Sequence, residues 1–389
     1  MSDTKLYDIV VFGASGYTGR LVCEYLNKEY GDSNLAWAMA GRSLEKLAAV
    51  RTEMALPEST PLIFTDSADA AAVAALVDST KVIITTVGPY QLYGEELVRQ
   101  CAERGTDYVD LCGEPGWMHD MIAAHQASAR SSGARIVFSC GFDSIPFDLG
   151  VYLLQQHATT TAGEPLKTVN GRVRSMVGSF SGGTVASLKA TMAAVGKRPE
   201  LIGILTNPFA LCEGFNGPTQ PAGDKPQYDE VLKSWSAPFI MAAINTKNVH
   251  RSNKLLGFPY GDDFSYDEML FTGDGEKGKA AATFVANDNS FAENTLLPGE
   301  GPSKEERENG SYDILFAGQT ESGELLKVSV TGDKDPGYGS TSKMLAEAAL
   351  CLALDPALAS GGIWTPAAAL GNALIKRLED HAGLAFTIE

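Results

Sequence analysis

The sequence holds no C-x-x-C pair among its six cysteines, no H-E-x-x-H pair, and only five scattered histidines. Zinc and dithiol chemistry therefore have no ligand spacing to rest on, and no metal site is expected. Most of the cysteines lie in apolar surroundings, as reduced core thiols do. No apolar run reaches the roughly 18 residues of a membrane span; the best candidate, around Met344–Leu354, is interrupted by Glu347. The opening Met-Ser-Asp-Thr-Lys lacks the layout of a signal peptide. A cytoplasmic protein is expected, with contact at a membrane surface left open. Basic clusters are absent as well, and 48 acidic against 31 basic residues give a net charge of −17. Such a balance repels nucleic acid, although backbone amides and one or two arginines still suffice for a local anion site.

What is present reads as a soluble globular chain, 44% apolar and 20% charged. Its 389 residues exceed one ordinary core. Residues 7–13 (Tyr-Asp-Ile-Val-Val-Phe-Gly) form a strand pattern ending in a glycine turn, and Thr18–Lys28 follows with helical periodicity. Leu35–Ala40 is a second strand, and Ser43 caps a helix to about Met54 that turns Leu44, Leu47 and Ala48 inward. The alternation continues through Val82–Val87, Glu95–Arg104, Tyr108–Leu111, Met118–Ser131 and Arg135–Ser139, which predicts a doubly wound parallel sheet. After about Pro146 the character changes. Lys167–Val177, Tyr312–Ala317 and Leu325–Thr331 alternate apolar and polar residues, the pattern of a largely antiparallel sheet in an α+β domain. Asn207–Asp229, dense in Gly and Pro, reads as an excursion or lid, and Leu297–Gly310 as a mobile surface loop. Ser342–Leu354 and the stretch opened by Thr365-Pro366 are helices with apolar stripes, expected to pack back on the first domain. The expected division is 1–146, 147–340 and 341–389.

The decisive stretch is Val10-Val11-Phe12-Gly13-Ala14-Ser15-Gly16-Tyr17-Thr18-Gly19-Arg20, in which three glycines leave a strand and enter a helix. Gly13 permits the turn, Gly16 lets backbone approach a pyrophosphate, and Gly19 lets helix and strand close up. The helix start offers free N–H groups and a positive dipole end, with Ser15, Tyr17 and Thr18 beside it. A dinucleotide is the expected ligand. At the end of the second strand an Asp or Glu would select NAD, but Ala40-Gly41-Arg42-Ser43 has a guanidinium and a hydroxyl instead. NADP is favoured over NAD, with Arg42 and Ser43 at the 2′-phosphate.

Ligands of open α/β sheets lie beyond the carboxyl ends of the strands. Val87-Gly88-Pro89 offers a rigid turn for the nicotinamide, with Tyr90 and Tyr93 near a substrate; an ordinary β-turn with an incidental aromatic is the competing reading. Asp143, in Cys140-Gly141-Phe142-Asp143-Ser144-Ile145-Pro146, is either a catalytic acid or part of a helix cap. Asp110 and Glu114 follow the fifth strand and read as groups that orient others or act in proton transfer, with exposed loop carboxylates as the competing reading. Thr331–Lys343 is a glycine-rich turn leading into a helix, where Tyr338 and Lys343 are candidates to face an interdomain cleft; a capped helix after a crossover loop is the competing reading.

Taken together, V-V-F-G-A-S-G-Y-T-G-R, A-G-R-S, V-G-P-Y-x-x-Y-G, Y-V-D-L-x-G-E, C-G-F-D-S-I-P-x-D-L-G, G-Y-G-S-T-S-K-M and G-G-I-W-T-P-A-A-A-L-G-N-A-L resemble the saccharopine dehydrogenase-like oxidoreductases, with the closest likeness to the trans-acting enoyl reductases. The resemblance spans Val10 to Leu374 and implies a Rossmann domain, an α/β domain and a C-terminus returning to the first. It also implies NADPH-dependent hydride delivery to the β-carbon of an enoyl thioester, lipid-like or polyketide-like, on a carrier. The saccharopine name implies instead the reduction of an imine between a keto acid and an amino acid. A cofactor-binding regulator without turnover stands as the alternative from another class, and a homodimer is left open.

Overall fold

The structure is a computed structural model that describes residues 5–179, 182–288, 299–355 and 358–389. Six short strands alternate with helices along the first third of the chain: β1 (Tyr7–Phe12), β2 (Trp37–Gly41), β3 (Leu62–Phe64), β4 (Thr80–Thr85), β5 (Asp107–Val109) and β6 (Arg135–Val137). Runs such as Ile9-Val10-Val11 and Val82-Ile83-Ile84 are buried on both faces, as helix-covered parallel strands require. Their spatial order is 6-5-4-1-2-3, all parallel, with the chain reversing direction across the sheet between β1 and β4. That reversal places a crevice at the carboxyl ends of both.

A second sheet follows: β7 (Thr168–Val177), β8 (Gln227–Asp229), β9 (Ser234–Pro238), β10 (Ser265–Gly273), β11 (Ser311–Gln319) and β12 (Leu325–Gly332). Among the described residues only β7 and β10 of this sheet pair in parallel; the other pairings are antiparallel. The helix Ile145–Ala162 packs on this sheet, and Gly150 permits it, since a Cβ there would lie 2.2 Å from the Phe316 ring. The last two strands divide between the sheets. β13 (Gly362–Trp364) extends the first beyond β6, while β14 (Leu384–Ile388) pairs with β12 in the second. The helix Thr341–Leu354 does return to the first sheet, packing on β1, β4, β5 and the helix Tyr17–Tyr30. Buried Glu347 fixes that contact by accepting from Tyr25 and Tyr30 (2.6 Å each) and from Arg377 (2.7 Å).

Several expectations are corrected. Leu44 is 48% exposed rather than inward. The start of Asn207–Asp229 is packed down: Phe209, Leu211 and Cys212 are buried, and Phe209 lies against His250 at 4.5 Å, while 213–228 stays exposed or half-buried. Within 299–310 the chain forms a helix, Lys304–Asn309, with a Ser303/Glu306 capping box, while residues 297 and 298 lie outside the described residues. All six cysteines are free and buried, and no described helix is long and apolar enough to cross a membrane.

Candidate active site

The glycine loop has the geometry its spacing implies. Gly13 sits at φ +89°, and a Cβ there would meet Thr86 Oγ1 at 2.7 Å and Val87 Cγ2 at 2.9 Å. At Gly19 a Cβ would lie 2.2 Å from the Gly13 carbonyl oxygen, so only glycine lets the helix press on the turn. Gly16 is exposed at the start of the helix Tyr17–Tyr30, and no side chain caps it. The amides of Tyr17, Thr18 and Gly19 accordingly lack an acceptor among the described residues. Uncapped amides at a dipole's positive end, in a cradle with no room for side chains, fit a pyrophosphate. Ser15 lies beside the end of β2, its hydroxyl near Gly41. Beyond Gly41, Arg42 is exposed and has no hydrogen-bond or ion-pair partner among the described residues. Ser43 caps the next helix by accepting from Lys46 N at 3.2 Å.

The end of β4 is built around Glu114. This buried carboxylate accepts from Tyr90 N and Gln91 N at 2.9 Å each, and from Ser187 Oγ at 2.8 Å. It therefore anchors the turn Val87-Gly88-Pro89, and Val87 rests against Gly13. Tyr90 needs correction. Its ring is 5% exposed, and its hydroxyl donates to Thr85 O (3.1 Å) and accepts from Leu111 N (3.3 Å). Burial pushes its pKa well up. The hydroxyl is thus committed to the backbone and braces the ends of β4 and β5. Tyr93 is 46% exposed at the end of the short helix Tyr90–Tyr93 that follows the turn. Asp110 is likewise buried, accepting from Ser139 N (2.8 Å), Cys112 N (3.0 Å) and Tyr108 OH (2.8 Å), which joins the ends of β5 and β6.

Beyond those two ends opens a cleft. Leu111 and the segment Gly141-Phe142-Asp143 form its floor; Met176, Phe239, Ile240, Met241 and the turn Pro336-Gly337-Tyr338 form its walls. No arginine or lysine lines it among the described residues, and Asp143 is its single carboxylate. Ser144, not Asp143, stands at the N-terminus of the helix Ile145–Ala162, and no side chain caps that end. Asp143 has no hydrogen-bond or ion-pair partner among the described residues, and burial against apolar groups pushes its pKa up to about 6. Tyr338 lines the cleft, its hydroxyl 3.0 Å from Thr184 Oγ1. Lys343 is not; it pairs with Asp333 (3.2 Å) and donates to Ala382 O (3.0 Å).

The fold thus gathers Gly13, Ser15, Gly16, Tyr17, Thr18, Gly19 and Val87 at one strand-end crevice, with Arg42 and Ser43 just past β2. Asp143 faces the neighbouring cleft, which Tyr90, Tyr93, Val87, Gly88 and Pro89 do not line. Met176, Phe239, Ile240 and Met241 are cleft residues that sequence reading passed over. They come from separate segments of the second sheet's side, and no local pattern links them.

Residues 9–137 match the model of the saccharopine dehydrogenase NADP binding domain. Over 400 residues, 96% of this chain and 95% of the other, the sequence is 38% identical to a Mycobacterium tuberculosis protein provisionally named a trans-acting enoyl reductase. It is 33% identical over 407 residues, 97% of this chain and 96% of the other, to the trans-acting enoyl reductase of Mycobacterium ulcerans. Among solved structures, apo saccharopine dehydrogenase (L-Glu forming) from Saccharomyces cerevisiae superposes over 98% of this chain and 99% of its own, with a TM-score of 0.55 at 11% identity. That last likeness concerns the fold alone. A two-sheet fold with an NADP-binding unit, matched along nearly its whole length by these relatives, makes the chain an oxidoreductase that belongs to the saccharopine dehydrogenase-like family, in the branch of the trans-acting enoyl reductases.

Proposed function

We propose that this enzyme uses NADPH to reduce the carbon–carbon double bond of a lipid-like or polyketide-like enoyl thioester presented on a carrier. The observation that carries the reading is the lining of the cleft: mostly apolar side chains, the hydroxyls of Ser179, Thr184, Tyr338 and Thr341, one unpartnered carboxyl and, among the described residues, no cation. An imine formed from a keto acid and an amino acid brings two or three carboxylates, and desolvating them without an arginine or lysine costs several kcal/mol each. An acyl chain demands only an apolar wall. The exposed rim residues Met176 and Ile240 extend that wall to the surface, where a tethered substrate would enter. The names of the curated relatives point the same way.

In this reading residues 1–146 hold the cofactor, 147–340 supply most of the substrate wall, and 341–389 tie the two together. The amides of Tyr17, Thr18 and Gly19 take the pyrophosphate, Arg42 and Ser43 the 2′-phosphate, and Val87, Gly88 and Pro89 border the nicotinamide. When bound, NADPH supplies the hydride for the β-carbon. Asp143 then delivers its proton to the α-carbon of the resulting enolate and is reprotonated from solvent. A carboxyl poised near pH 6 retains a protonated fraction at neutral pH, which suits a general acid. While substrate fills the cleft, the apolar walls keep bulk water from the enolate; water returns when product leaves. The test is NADPH oxidation with a panel of 2-enoyl thioesters of increasing chain length, set against keto acids such as 2-oxoglutarate paired with lysine. Turnover confined to the thioesters is expected; turnover confined to the keto-acid pairs, or to neither, would reject the proposal.

A further inference from the structure

Residues 299–310 bring a cation from the second sheet's side to the phosphate-binding loop. Gly301 lies so close over Tyr17 that a Cβ there would sit 2.6 Å from the ring. The Tyr17 hydroxyl donates to Pro302 O. Arg307 Nη1 donates to the Tyr17 hydroxyl at 2.8 Å and to Pro302 O at 2.9 Å, and its guanidinium carbon lies 5.7 Å from the ring centroid. Its backbone is fixed in turn, because Asp335 N donates to Arg307 O at 3.0 Å. Tyr17 is the first residue of the helix with the uncapped amides.

Two features give this contact meaning. Both acceptors of Arg307 are neutral oxygens; the buried Asp335 carboxylate acts on it only through space, and no carboxylate of a described residue comes within ion-pair distance of it. Arg20, the other cation over the same ring, is paired with Glu53 at 3.1 Å. A half-buried guanidinium with only neutral oxygens in contact, held at the side chain of the residue that opens the uncapped helix, has lost part of its hydration without gaining an ion pair. An anion bound at that helix start offers it one.

We propose that Arg307 is a phosphate-binding residue, completing from outside the Rossmann unit the pyrophosphate site opened by the amides of Tyr17, Thr18 and Gly19. Because the Tyr17 ring also meets the cleft residue Tyr338 edge-on at 5.1 Å, the same contact links phosphate binding to the substrate wall. The inference rests on dinucleotide binding at this loop, and the choice of ligands separates the failure of one from the failure of the other. Calorimetric titration of the full chain would use NADPH, ADP-ribose, which has the pyrophosphate without the nicotinamide, and adenosine 2′-monophosphate, which lacks the pyrophosphate. Arg307→Gln is expected to weaken NADPH and ADP-ribose about 10- to 100-fold while leaving adenosine 2′-monophosphate unchanged. Arg307→Lys should restore part of the loss. Tyr17→Phe, which removes only the hydroxyl that holds the guanidinium, should give a smaller loss of about 2- to 5-fold with the same selectivity. An equal loss for all three ligands, or none for ADP-ribose, would overturn the proposal. Wild-type protein that binds none of them would overturn the dinucleotide site with it.

Discussion

Replacing Asp143 by asparagine should make the protein more stable and less active at once, and the size of the first effect follows from the carboxyl's surroundings. An aspartate ordinarily ionises near 3.8, and burial without a partner moves Asp143 to about 6. Below pH 3.8 the folded and unfolded chains both hold the proton, so the site carries no penalty. Between 3.8 and 6 the folded state binds the proton more tightly than the unfolded one, and stability falls as pH rises. Above pH 6 the penalty is complete. At 1.36 kcal/mol per pH unit, the gap corresponds to about 3 kcal/mol, with about half of it present at pH 5. Water reaching the cleft screens the charge and reduces the full figure to about 1–3 kcal/mol. The asparagine amide keeps the shape of the carboxyl and never ionises. Urea unfolding followed by tryptophan fluorescence, wild type against Asp143→Asn, should therefore show the variant ahead by about 1–3 kcal/mol at pH 8 and by about half that at pH 5. The other raised carboxyls, Asp110 and Asp148 near 7 and Glu268 near 8, titrate in both proteins and cancel in the difference. In the same preparations the turnover of an enoyl thioester should drop about 10²- to 10⁴-fold with NADPH affinity unchanged. A variant less stable than wild type at pH 8, or a stability gap indifferent to pH, would refute the description of this carboxyl as ionised at a cost to the fold. Undiminished turnover would refute its role as acid.

Arg42→Ala should weaken NADPH about 10- to 100-fold by fluorescence titration and leave NADH within about 2-fold, since only the 2′-phosphate is lost as a partner. Tyr90→Phe should cost about 1–3 kcal/mol in urea unfolding, from the backbone groups of Thr85 and Leu111 it leaves unsatisfied, with turnover changed by less than about 3-fold. Glu347→Ala should cost about 3–5 kcal/mol in the same assay, because it strips a buried partner from Arg377 and from two tyrosine hydroxyls.

The first sheet was legible because its strands are short apolar runs punctuated by Gly13, Gly41 and Gly88, and its helices are capped or periodic. Ser43 and Glu95–Arg104 fell where propensity alone places them. The second sheet was legible only in β7, β11 and β12, whose faces alternate. β10 hid because Asp267 and Glu268 interrupt its apolar run. Both are buried, Asp267 against Arg172 at 3.0 Å and Glu268 under Asn245 and Tyr266. Such partners are remote in sequence, so hydropathy cannot reveal that the charges are matched. The helix Ala242–Leu255 hid for the same reason: Asn245, Lys247, Asn248, His250 and Arg251 are all buried, a composition that reads as surface. In the site, Gly13, Gly16 and Gly19 declared themselves through spacing alone. Tyr90 misled because a tyrosine after a Gly-Pro turn looks free to reach a ligand, and only the fold shows its hydroxyl turned back onto Thr85. Arg307 lies 290 residues from Tyr17 in a polar stretch, with no local sign of its contact.

The central claim is that hydride and proton enter opposite ends of one carbon–carbon double bond, the proton by way of an ionisable group in the cleft. It is tested most directly by reducing a long-chain 2-enoyl thioester with 4-deuterated NADPH in ordinary water and locating the label by mass spectrometry and NMR. A single deuterium on the β-carbon, with protium from solvent at the α-carbon and a rate that falls as pH rises through about 6, is the expected result. Deuterium at a carbon bearing nitrogen, formed only when keto acid and amine are supplied together, would contradict it.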